Sequence, residues 1–296
     1  MFVLAFFIFW GYVLWSAWFY LRYRPRSVVG DRVLITGGGS GIGRLMALRF
    51  AKKGARLILW DVNRDGLAGV KKEIEAAGGQ CDTYFVDVTD RKMVYDTAKL
   101  VGDIQILINN AGIVTGKKLL DCPDELMEKT VQVNTISHFW TLKAFLPAMM
   151  KANKGHVVTI ASAAGMYGTA GLVDYCASKF GAVGTAEALY LELRKEKSAV
   201  LATSVCPYYI NTGMFDGVKT KFPLLLPILD PDYVADRVVL AILRGEEWLV
   251  LPATAWLTLP LKVLPVSWVG FIAERLGLSD SMNNFKGRPG ADKKSA

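Results

Sequence analysis

A glycine-rich turn between an apolar run and a helical pattern constrains the fold of this chain most. The apolar run is Arg32–Thr36, and residues 36–43 (TGGGSGIG) lead from it into helical spacing over residues 42–53. Glycines allow positive φ and let the backbone approach a pyrophosphate, which a helix N-terminus then stabilises. Glycine-rich turns are common, so the turn alone is a weak signal. Its position between a strand and a helix predicts a dinucleotide-binding unit.

The alternation of short apolar runs and helical stretches continues along the chain. Further apolar runs lie at residues 56–60, 81–86, 105–109, 156–160 and 201–206. Helical spacing occurs between or after them, at residues 64–77, 124–151, 174–196 and 232–243. Strands that alternate with helices imply βαβ units and a parallel sheet. The predicted fold class is α/β, a Rossmann-type doubly wound parallel sheet with helices on both faces.

Asp61 ends the second predicted strand, 20 positions beyond Gly41. A carboxylate at this interval accepts hydrogen bonds from the hydroxyls of an adenosine ribose. It also repels a 2′-phosphate, so the sequence favours NAD over NADP, although Arg44 and Arg64 lie nearby and weaken that preference. The alternative is that Asp61 only caps the helix that follows.

Tyr175 and Lys179 lie four positions apart in a helical stretch, which places both side chains on one helix face. A free tyrosine has a pKa near 10, too high for a base at neutral pH. An ammonium about 5 Å away, at an effective dielectric near 20, contributes roughly 3 kcal/mol, or about two pKa units. The pair therefore predicts a phenol with a lowered pKa, suited to general acid–base catalysis.

The first 21 residues contain no charged side chain. A helix of that length spans about 30 Å, the thickness of the bilayer core, and residues 1–21 are predicted to be an N-terminal membrane helix. The segment lacks the basic n-region and small-residue cleavage site of a signal peptide. A helix lying flat in the interface is the alternative, because its tryptophans favour the headgroup region.

Basic residues are concentrated at the two ends of the chain. The net charge is +8, and most of it comes from a basic linker (residues 22–30, with Arg22, Arg24 and Arg26) and a basic tail (residues 281–296). The positive-inside rule places the linker and the following residues in the cytosol. A nucleic-acid-binding protein would carry a basic stripe on its body, so that class is excluded. Four widely spaced cysteines and two histidines predict reduced thiols and no metal site.

With both motifs in this order, residues 31–250 resemble the short-chain dehydrogenase/reductase family. Other segments follow in the family's order, namely Asp87-Val88, residues 109–112 (NNAG), Asn134, Ser162 and residues 207–212. The resemblance implies a catalytic domain over residues 31–250 that binds a nicotinamide dinucleotide. One departure is visible, because two tyrosines follow Pro207 where the family often has glycine, and they predict an aromatic wall beside the nicotinamide.

The resemblance implies roles for individual residues. Tyr175 is the general base or acid, Ser162 holds the substrate oxygen, and Lys179 lowers the pKa of the phenol. Asn134 positions a water in the proton relay. The residues implied in cofactor binding are Thr36, Gly37, Ser40, Gly41, Ile42, Gly43, Asp61, Asp87, Val88, Asn110, Ala111, Gly112, Tyr175, Lys179, Pro207 and Thr212. The alternatives are that Ser162 caps a turn and that Asn134 satisfies backbone groups.

Two apolar segments follow the matched motifs. The loop after Thr212 is predicted to cover the pocket. From Trp248 the chain is rich in Leu, Val, Trp and Pro, and prolines 252, 260 and 265 break any long helix. Residues 251–280 are therefore predicted to lie in the membrane interface, where a lipid-dissolved substrate enters. A packed core segment or a homodimer contact is the alternative.

The N-terminal anchor, residues 138–141 (HFWT), residues 174–180 (DYCASKF) and residues 284–288 (NFKGR) narrow the resemblance to the membrane-bound retinol dehydrogenases of the epidermal type. This implies NAD-dependent oxidation of all-trans-retinol at the endoplasmic reticulum membrane, with lipid droplets as a second location. A 17β-hydroxysteroid or other lipid-alcohol dehydrogenase is the alternative. A third hypothesis is an NAD-binding scaffold at either membrane without turnover.

Overall fold

The computed structural model describes residues 25–275, 277 and 280–287, together with residues 10, 11, 14 and 18. The predicted anchor over residues 1–21 therefore lies outside the described residues, apart from those four positions. Within the described residues, no helix combines the length and the apolar character needed to cross a bilayer.

Seven parallel strands form one sheet, in the order β3-β2-β1-β4-β5-β6-β7. Their bounds are β1 (Arg32–Thr36), β2 (Arg56–Asp61), β3 (Gln80–Phe85), β4 (Ile106–Asn109), β5 (His156–Ile160), β6 (Leu201–Pro207) and β7 (Trp248–Leu251). The order reverses between β1 and β4, whose residues Val33 and Ile106 are partners in the ladder. Ligands of doubly wound sheets bind at such a switch point, outside the carboxyl ends of the strands.

Helices cover both faces of the sheet, which confirms the predicted fold class. They are α1 (Gly41–Lys52), α2 (Arg64–Ala76), α3 (Arg91–Val101), α4 (Asp124–Val131), α5 (Ser137–Lys151), α6 (Val173–Lys195), α7 (Pro231–Arg244) and α8 (Val266–Arg275). Side chains alternate between two faces along a strand, so Val33 and Ile35 join one apolar core while Leu34 joins the other. Both cores are closed because both faces carry helices.

One π-helical turn and two 3₁₀ segments lie between the strands and α-helices. The π-helical turn Gln132–Ile136 joins α4 to α5 without a break in the chain of helical residues. A 3₁₀ turn, Ala163–Gly165, follows β5, and a 3₁₀ stretch, Ala253–Val263, follows β7. π-Helical turns are frequent at functional sites because they displace one residue from the regular helical register.

The strand β7 was missed in the sequence. Its residues begin the apolar stretch that continues into the predicted membrane-interface segment at residue 251, and Leu249, Val250 and Leu251 are buried beside β6. A continuous apolar run has no period-two pattern when both faces of a parallel sheet are covered, so periodicity gave no sign of the strand. Beyond it the chain turns at Pro252 and does not form a long helix.

Candidate active site

The glycine-rich turn lies at the switch point between β1 and β4. Gly37 and Gly41 have positive φ values of 66° and 54°, and Ser40 occupies the N-cap position of α1. A side chain at Gly43 would place its Cβ 2.1 Å from the Gly37 carbonyl oxygen, so only glycine fits there. The backbone of the turn and the N-terminus of α1, which includes Ile42, thus form a cradle suited to a pyrophosphate.

Thr36 and Asn110 hold this cradle against the loop that follows β4. The Thr36 hydroxyl accepts hydrogen bonds from the backbone N–H groups of Asn110 and Ala111, both at 3.0 Å. The Asn110 side chain donates to the carbonyl oxygens of Thr36 (2.9 Å) and Gly37 (3.1 Å). Its amide nitrogen thus fixes the position of the turn, and its predicted place in the lining of the cofactor cleft stays a prediction.

Asp61 is anchored at the carboxyl end of β2. Its two carboxylate oxygens accept hydrogen bonds from the backbone N–H groups of Gly39 and Asn63, each at 2.9 Å. The cap of α2 is Asn63, whose side chain accepts from Gly66, so the alternative that Asp61 caps this helix is wrong. A carboxylate retains further acceptor positions after two such bonds, which leaves Asp61 able to bind ribose hydroxyls.

The two arginines that were expected to weaken the preference for NAD both have partners. Arg44 forms an ion pair with Glu73, with Nε donating to Oε1 at 3.0 Å. The Arg64 guanidinium lies 4.0 Å from the centre of the Phe85 ring. The carboxylate of Glu73 competes with a phosphate for Arg44, whereas the stacking on Phe85 fixes the position of the Arg64 guanidinium.

Asp87 and Val88 follow β3 near the same edge of the sheet. Asp87 accepts hydrogen bonds from the backbone and hydroxyl of Thr89 and from Lys129 at 3.1 Å. Burial raises the pKa of this carboxyl, but the bonds from Thr89 and Lys129 outweigh it and the pKa is lowered overall. Val88 is buried. Contact of either residue with an adenine stays a prediction.

Tyr175 and Lys179 lie in α6, and both are almost completely buried. The Lys179 ammonium lies 5.7 Å from the centre of the Tyr175 ring and donates a hydrogen bond of 2.9 Å to the Ile160 carbonyl oxygen at the end of β5. It also lies beside Gly112, where an added Cβ would be 3.6 Å from Nζ. The ammonium is therefore placed between the phenol and the loop that follows β4.

The pKa of Tyr175 differs from the prediction in direction. Burial raises the pKa of the phenol above its usual value, although a hydrogen bond with Ser162 lowers it in part. Burial also lowers the pKa of Lys179 to about 8, because a charged ammonium is disfavoured away from water. The spacing of the two residues indicates a positive charge near the phenol, but it does not indicate the loss of water around both groups.

Ser162 begins the 3₁₀ turn after β5 and has two functions in the structure. Its hydroxyl accepts from the backbone N–H of Ala164 at 3.1 Å, so it does cap this turn. The same hydroxyl lies close enough to the Tyr175 phenol to lower its pKa in part, and it lies 3.4 Å from the Pro207 carbonyl oxygen. The bond to Pro207 is long, so the hydroxyl hydrogen can turn towards a substrate oxygen at low cost.

Asn134 lies in the π-helical turn and is completely buried. Its amide oxygen accepts from the backbone N–H of Ile113, and its amide nitrogen donates to the Ile113 carbonyl oxygen and the Ser178 hydroxyl, all at 2.9 Å. Ser178 in turn donates to the Tyr175 carbonyl oxygen at 2.7 Å. The side chain thus joins the loop after β4 to α6, and its predicted contact with a relay water stays a prediction.

A small cavity lies beside the Tyr175 phenol. Its volume is about 20 Å³, and apart from Ser162 and Tyr175 it is lined by Ala163, Ala164, Tyr167, Thr169, Leu172, Tyr208, Tyr209 and Phe215. Tyr208 and Tyr209 after Pro207 thus form an aromatic wall beside the Tyr175 phenol, and its predicted position beside the nicotinamide stays a prediction. Thr212 lies further along the same loop, where its N–H donates to the Ile210 carbonyl oxygen, and its contact with a carboxamide stays a prediction.

Several contributors to the site carry no sequence signal. Ile160 accepts the hydrogen bond of Lys179 through its backbone carbonyl, which any residue supplies. Ser178 lies between Tyr175 and Lys179, and its residue type alone does not indicate its contact with Asn134. Thr115 donates to the buried Asp174 carboxylate at 2.7 Å and fixes the start of α6. Within the described residues, no three His, Cys, Asp or Glu side chains are grouped to hold a metal, and all four cysteines are buried thiols.

Comparisons with known proteins agree with this geometry. The family described as short chain dehydrogenase matches residues 31–222. The chain is 49% identical to human epidermal retinol dehydrogenase 2 over 276 residues, covering 90% of this chain and 89% of that protein. It is 42% identical to human retinol dehydrogenase 10, covering 96% and 93%.

Solved structures show the same fold. A short-chain dehydrogenase/reductase from Burkholderia phymatum in complex with NAD superposes with a TM-score of 0.71 at 25% identity, covering 83% of this chain and 96% of that one. A metagenomic short-chain oxidoreductase in complex with NADP superposes with a TM-score of 0.65 at 28% identity, covering 76% and 98%.

Proposed function

The chain belongs to the short-chain dehydrogenase family and is a nicotinamide-dinucleotide-dependent oxidoreductase acting on CH–OH groups; from this premise we propose that it oxidises all-trans-retinol to all-trans-retinal with NAD. The observation that carries the proposal is that Ser162 and the buried Tyr175 line one aromatic cavity together. Lys179 lies between the phenol and Gly112 in the loop that follows β4.

The protein's own residues transfer one proton in this reaction. When bound, the nicotinamide dinucleotide supplies the hydride acceptor for the carbinol carbon. Ser162 donates a hydrogen bond to the substrate oxygen, and the Tyr175 phenolate accepts the hydroxyl proton of the alcohol. Lys179, with a pKa of about 8, is mostly protonated at pH 7, so its charge favours that phenolate. In the reverse direction Tyr175 returns the proton to the carbonyl oxygen.

The pocket supports a flat, conjugated alcohol. Four aromatic residues other than Tyr175 line it, and aromatic rings pack favourably against the face or edge of another π-system. The relatives named as retinol dehydrogenases support the same choice. A lipophilic alcohol with one hydroxyl matches a pocket whose catalytic polar groups, Ser162 and Tyr175, meet at one point.

Three features support NAD as the cofactor. Asp61 presents a carboxylate at the end of β2, and like charge disfavours a 2′-phosphate there. Arg44 and Arg64, the nearby cations, are engaged by Glu73 and by the Phe85 ring. A site specific for NADP uses an arginine that is free to meet the 2′-phosphate.

We also propose that the protein works at the endoplasmic reticulum membrane, with residues 31–250 in the cytosol. The uncharged residues 1–21 and the basic linker 22–30 support attachment in that orientation. Residues 251–280 support a second contact with lipid, because Val263, Val266 and Trp268 are 86%, 86% and 63% exposed. Tryptophan and aliphatic side chains beside basic residues suit the membrane interface.

Turnover by the purified, detergent-solubilised protein tests the proposal. We expect retinal to form from all-trans-retinol and NAD, with Tyr175→Phe slower by at least about 10³-fold, because general acid–base catalysis and the alignment of the oxygen are both lost. Tyr175→Phe should still bind NAD, which excludes misfolding as the cause. Turnover of a sterol but not of retinol would establish the hydroxysteroid alternative. Unchanged cellular effects in Tyr175→Phe would establish the scaffold.

A further inference from the structure

Residues 280–287, which we name the C-terminal strap, lie against three loops at the carboxyl end of the sheet. The Lys286 N–H donates to the Asp216 carbonyl oxygen at 2.8 Å, and the Lys219 N–H donates to the Ser281 carbonyl oxygen at 3.2 Å. The Ser281 hydroxyl is 3.1 Å from the hydroxyl of Tyr209. The strap is thus hydrogen-bonded to the loop that follows β6, although about 65 residues separate them.

Two glycines make room for the strap. An added Cβ at Gly217 would lie 1.9 Å from the Asn284 carbonyl oxygen, and one at Gly116 would lie 2.0 Å from the Phe285 ring. Both distances are far below a normal van der Waals contact. The loops that follow β4 and β6 therefore each present a position without a side chain where the strap sits.

A chain of aromatic rings connects the strap to the catalytic phenol. The centre of the Phe285 ring lies 6.4 Å from that of Phe215, and the Phe215 ring lies 5.7 Å from the Tyr175 ring and 5.1 Å from the Tyr209 ring. All three contacts are edge-to-face, a favourable arrangement for aromatic pairs. Phe285 consequently packs against the same ring that packs against the phenol.

The cavity behind Phe215 is too small for a lipophilic substrate. Its volume of about 20 Å³ accommodates about one water molecule, whereas pockets for organic ligands occupy roughly 300–1,000 Å³. An alcohol with a long apolar chain therefore enters only when a lining side chain such as Phe215 moves. Since the loop that carries Phe215 is hydrogen-bonded to the strap, the two move together or their contacts break.

We propose that the C-terminal strap closes the pocket over a bound substrate, and that Phe285 is a positioning residue that acts through Phe215. The strap thereby determines the preference for long apolar alcohols over short ones, because a long chain extends past Phe215 to Phe285, whereas a short one ends at Phe215. This specificity role rests on the proposed oxidation of a lipophilic alcohol. The closing role rests on the contacts alone.

A pair of glycine variants tests the proposal in the full-length protein. Gly217→Ala introduces a clash with the strap, whereas Gly213→Ala, four positions earlier, has nothing within 4 Å of its new Cβ. The two glycines have nearly equal φ values, 86° and 81°, so both variants place an alanine at the same disfavoured φ. The clash with the strap is the contact in which the two variants differ.

The first measurement is amide hydrogen exchange without substrate. We expect exchange at Lys219 and Lys286 to accelerate at least tenfold in Gly217→Ala relative to Gly213→Ala, because their acceptors belong to the strap contact. Equal exchange in the two variants would overturn the closing role. This result does not depend on which alcohol the protein oxidises.

The second measurement is selectivity, the ratio of kcat/KM for all-trans-retinol to kcat/KM for 3-methyl-2-buten-1-ol. We expect Phe285→Ala and Gly217→Ala each to lower this ratio about tenfold, with the Kd for NAD unchanged. A merely structural role would reduce kcat/KM equally for both substrates and leave the ratio as in the wild type. This result would overturn the specificity role. If the wild-type protein oxidises neither alcohol, the proposed function and the specificity role fail together, while the exchange result still decides closure.

Discussion

Lys179→Met is expected to stabilise the protein at neutral pH while abolishing its activity. The buried ammonium has its pKa lowered to about 8 from an ordinary 10.5, a difference of about 2.5 units. At 1.36 kcal/mol per unit, protonated Lys179 opposes folding by about 3 kcal/mol at pH 7. The variant removes this cost but leaves the Ile160 carbonyl without its donor, a loss of about 1–3 kcal/mol.

The net gain is about 1 kcal/mol, which corresponds to a rise in Tm of about 2–4 °C for a protein of this size. The pH dependence gives a sharper result. Because the folded pKa lies below the unfolded one, the unfolded wild-type chain binds more protons between about pH 8 and 10.5. Wild-type stability should therefore rise through this window, and Lys179→Met should lack this rise.

Thermal unfolding of the cofactor-free protein in detergent, followed between pH 7 and 10.5, measures both effects. Lys195→Met is the matched control, because Lys195 is an exposed lysine in the last turn of the same helix. We expect this control to keep the wild-type pH dependence. A Tm below the wild type for Lys179→Met at pH 7, together with a parallel pH dependence, would refute the reasoning, since it would show that the ammonium stabilises the fold.

Two further predictions concern the cofactor and the pocket. Asp61→Ala should lower the ratio of kcat/KM with NAD to kcat/KM with NADP about 10–100-fold, as the repulsion of a 2′-phosphate is lost; an unchanged ratio would show that Asp61 does not face the ribose. Tyr167→Phe should raise the free energy of unfolding by about 1 kcal/mol, because its hydroxyl is buried with no hydrogen-bond partner among the described residues. Tyr209→Phe loses the bond to Ser281 and should lower the free energy of unfolding by a similar amount. Denaturant unfolding measures both variants, and equal effects would show that the two hydroxyls do not differ in hydrogen bonding.

The sequence predicted most of the sheet because six of its strands are short apolar runs bounded by glycine, proline or charged residues. The bounds of β1 and β5 match the predicted ones. Those of β2, β4 and β6 differ by one residue at one end, and those of β3 by one residue at both ends. β7 was missed for a physical reason, since it begins an apolar stretch that continues into a partly exposed segment. Burial of Leu249–Leu251 depends on β6, which lies more than 40 residues earlier.

The site was predictable where a motif fixes local geometry. The helical spacing of Tyr175 and Lys179 places both side chains on one face, and the structure brings Ser162 to the phenol and Asn134 to the helix that carries it. The direction of the Tyr175 pKa was wrong, because a distance between two charges says nothing of the solvent around them. Phe215, whose ring lies 5.7 Å from the Tyr175 ring, contributes to the burial of the phenol, and it comes from another part of the chain.

The raised pKa of the phenol defines what the rest of the site must do. Deprotonation of Tyr175 in a buried site is unfavourable, so catalysis depends on groups that favour the phenolate more than burial disfavours it. Ser162 contributes one hydrogen bond and Lys179 one charge, and the charge is strong only while water is excluded. Closure of the C-terminal strap over Phe215 would keep water out and position the substrate. The strap can therefore affect both the selectivity of the pocket and proton transfer at Tyr175. An opened strap should therefore admit water and weaken the effect of Lys179 on the phenol.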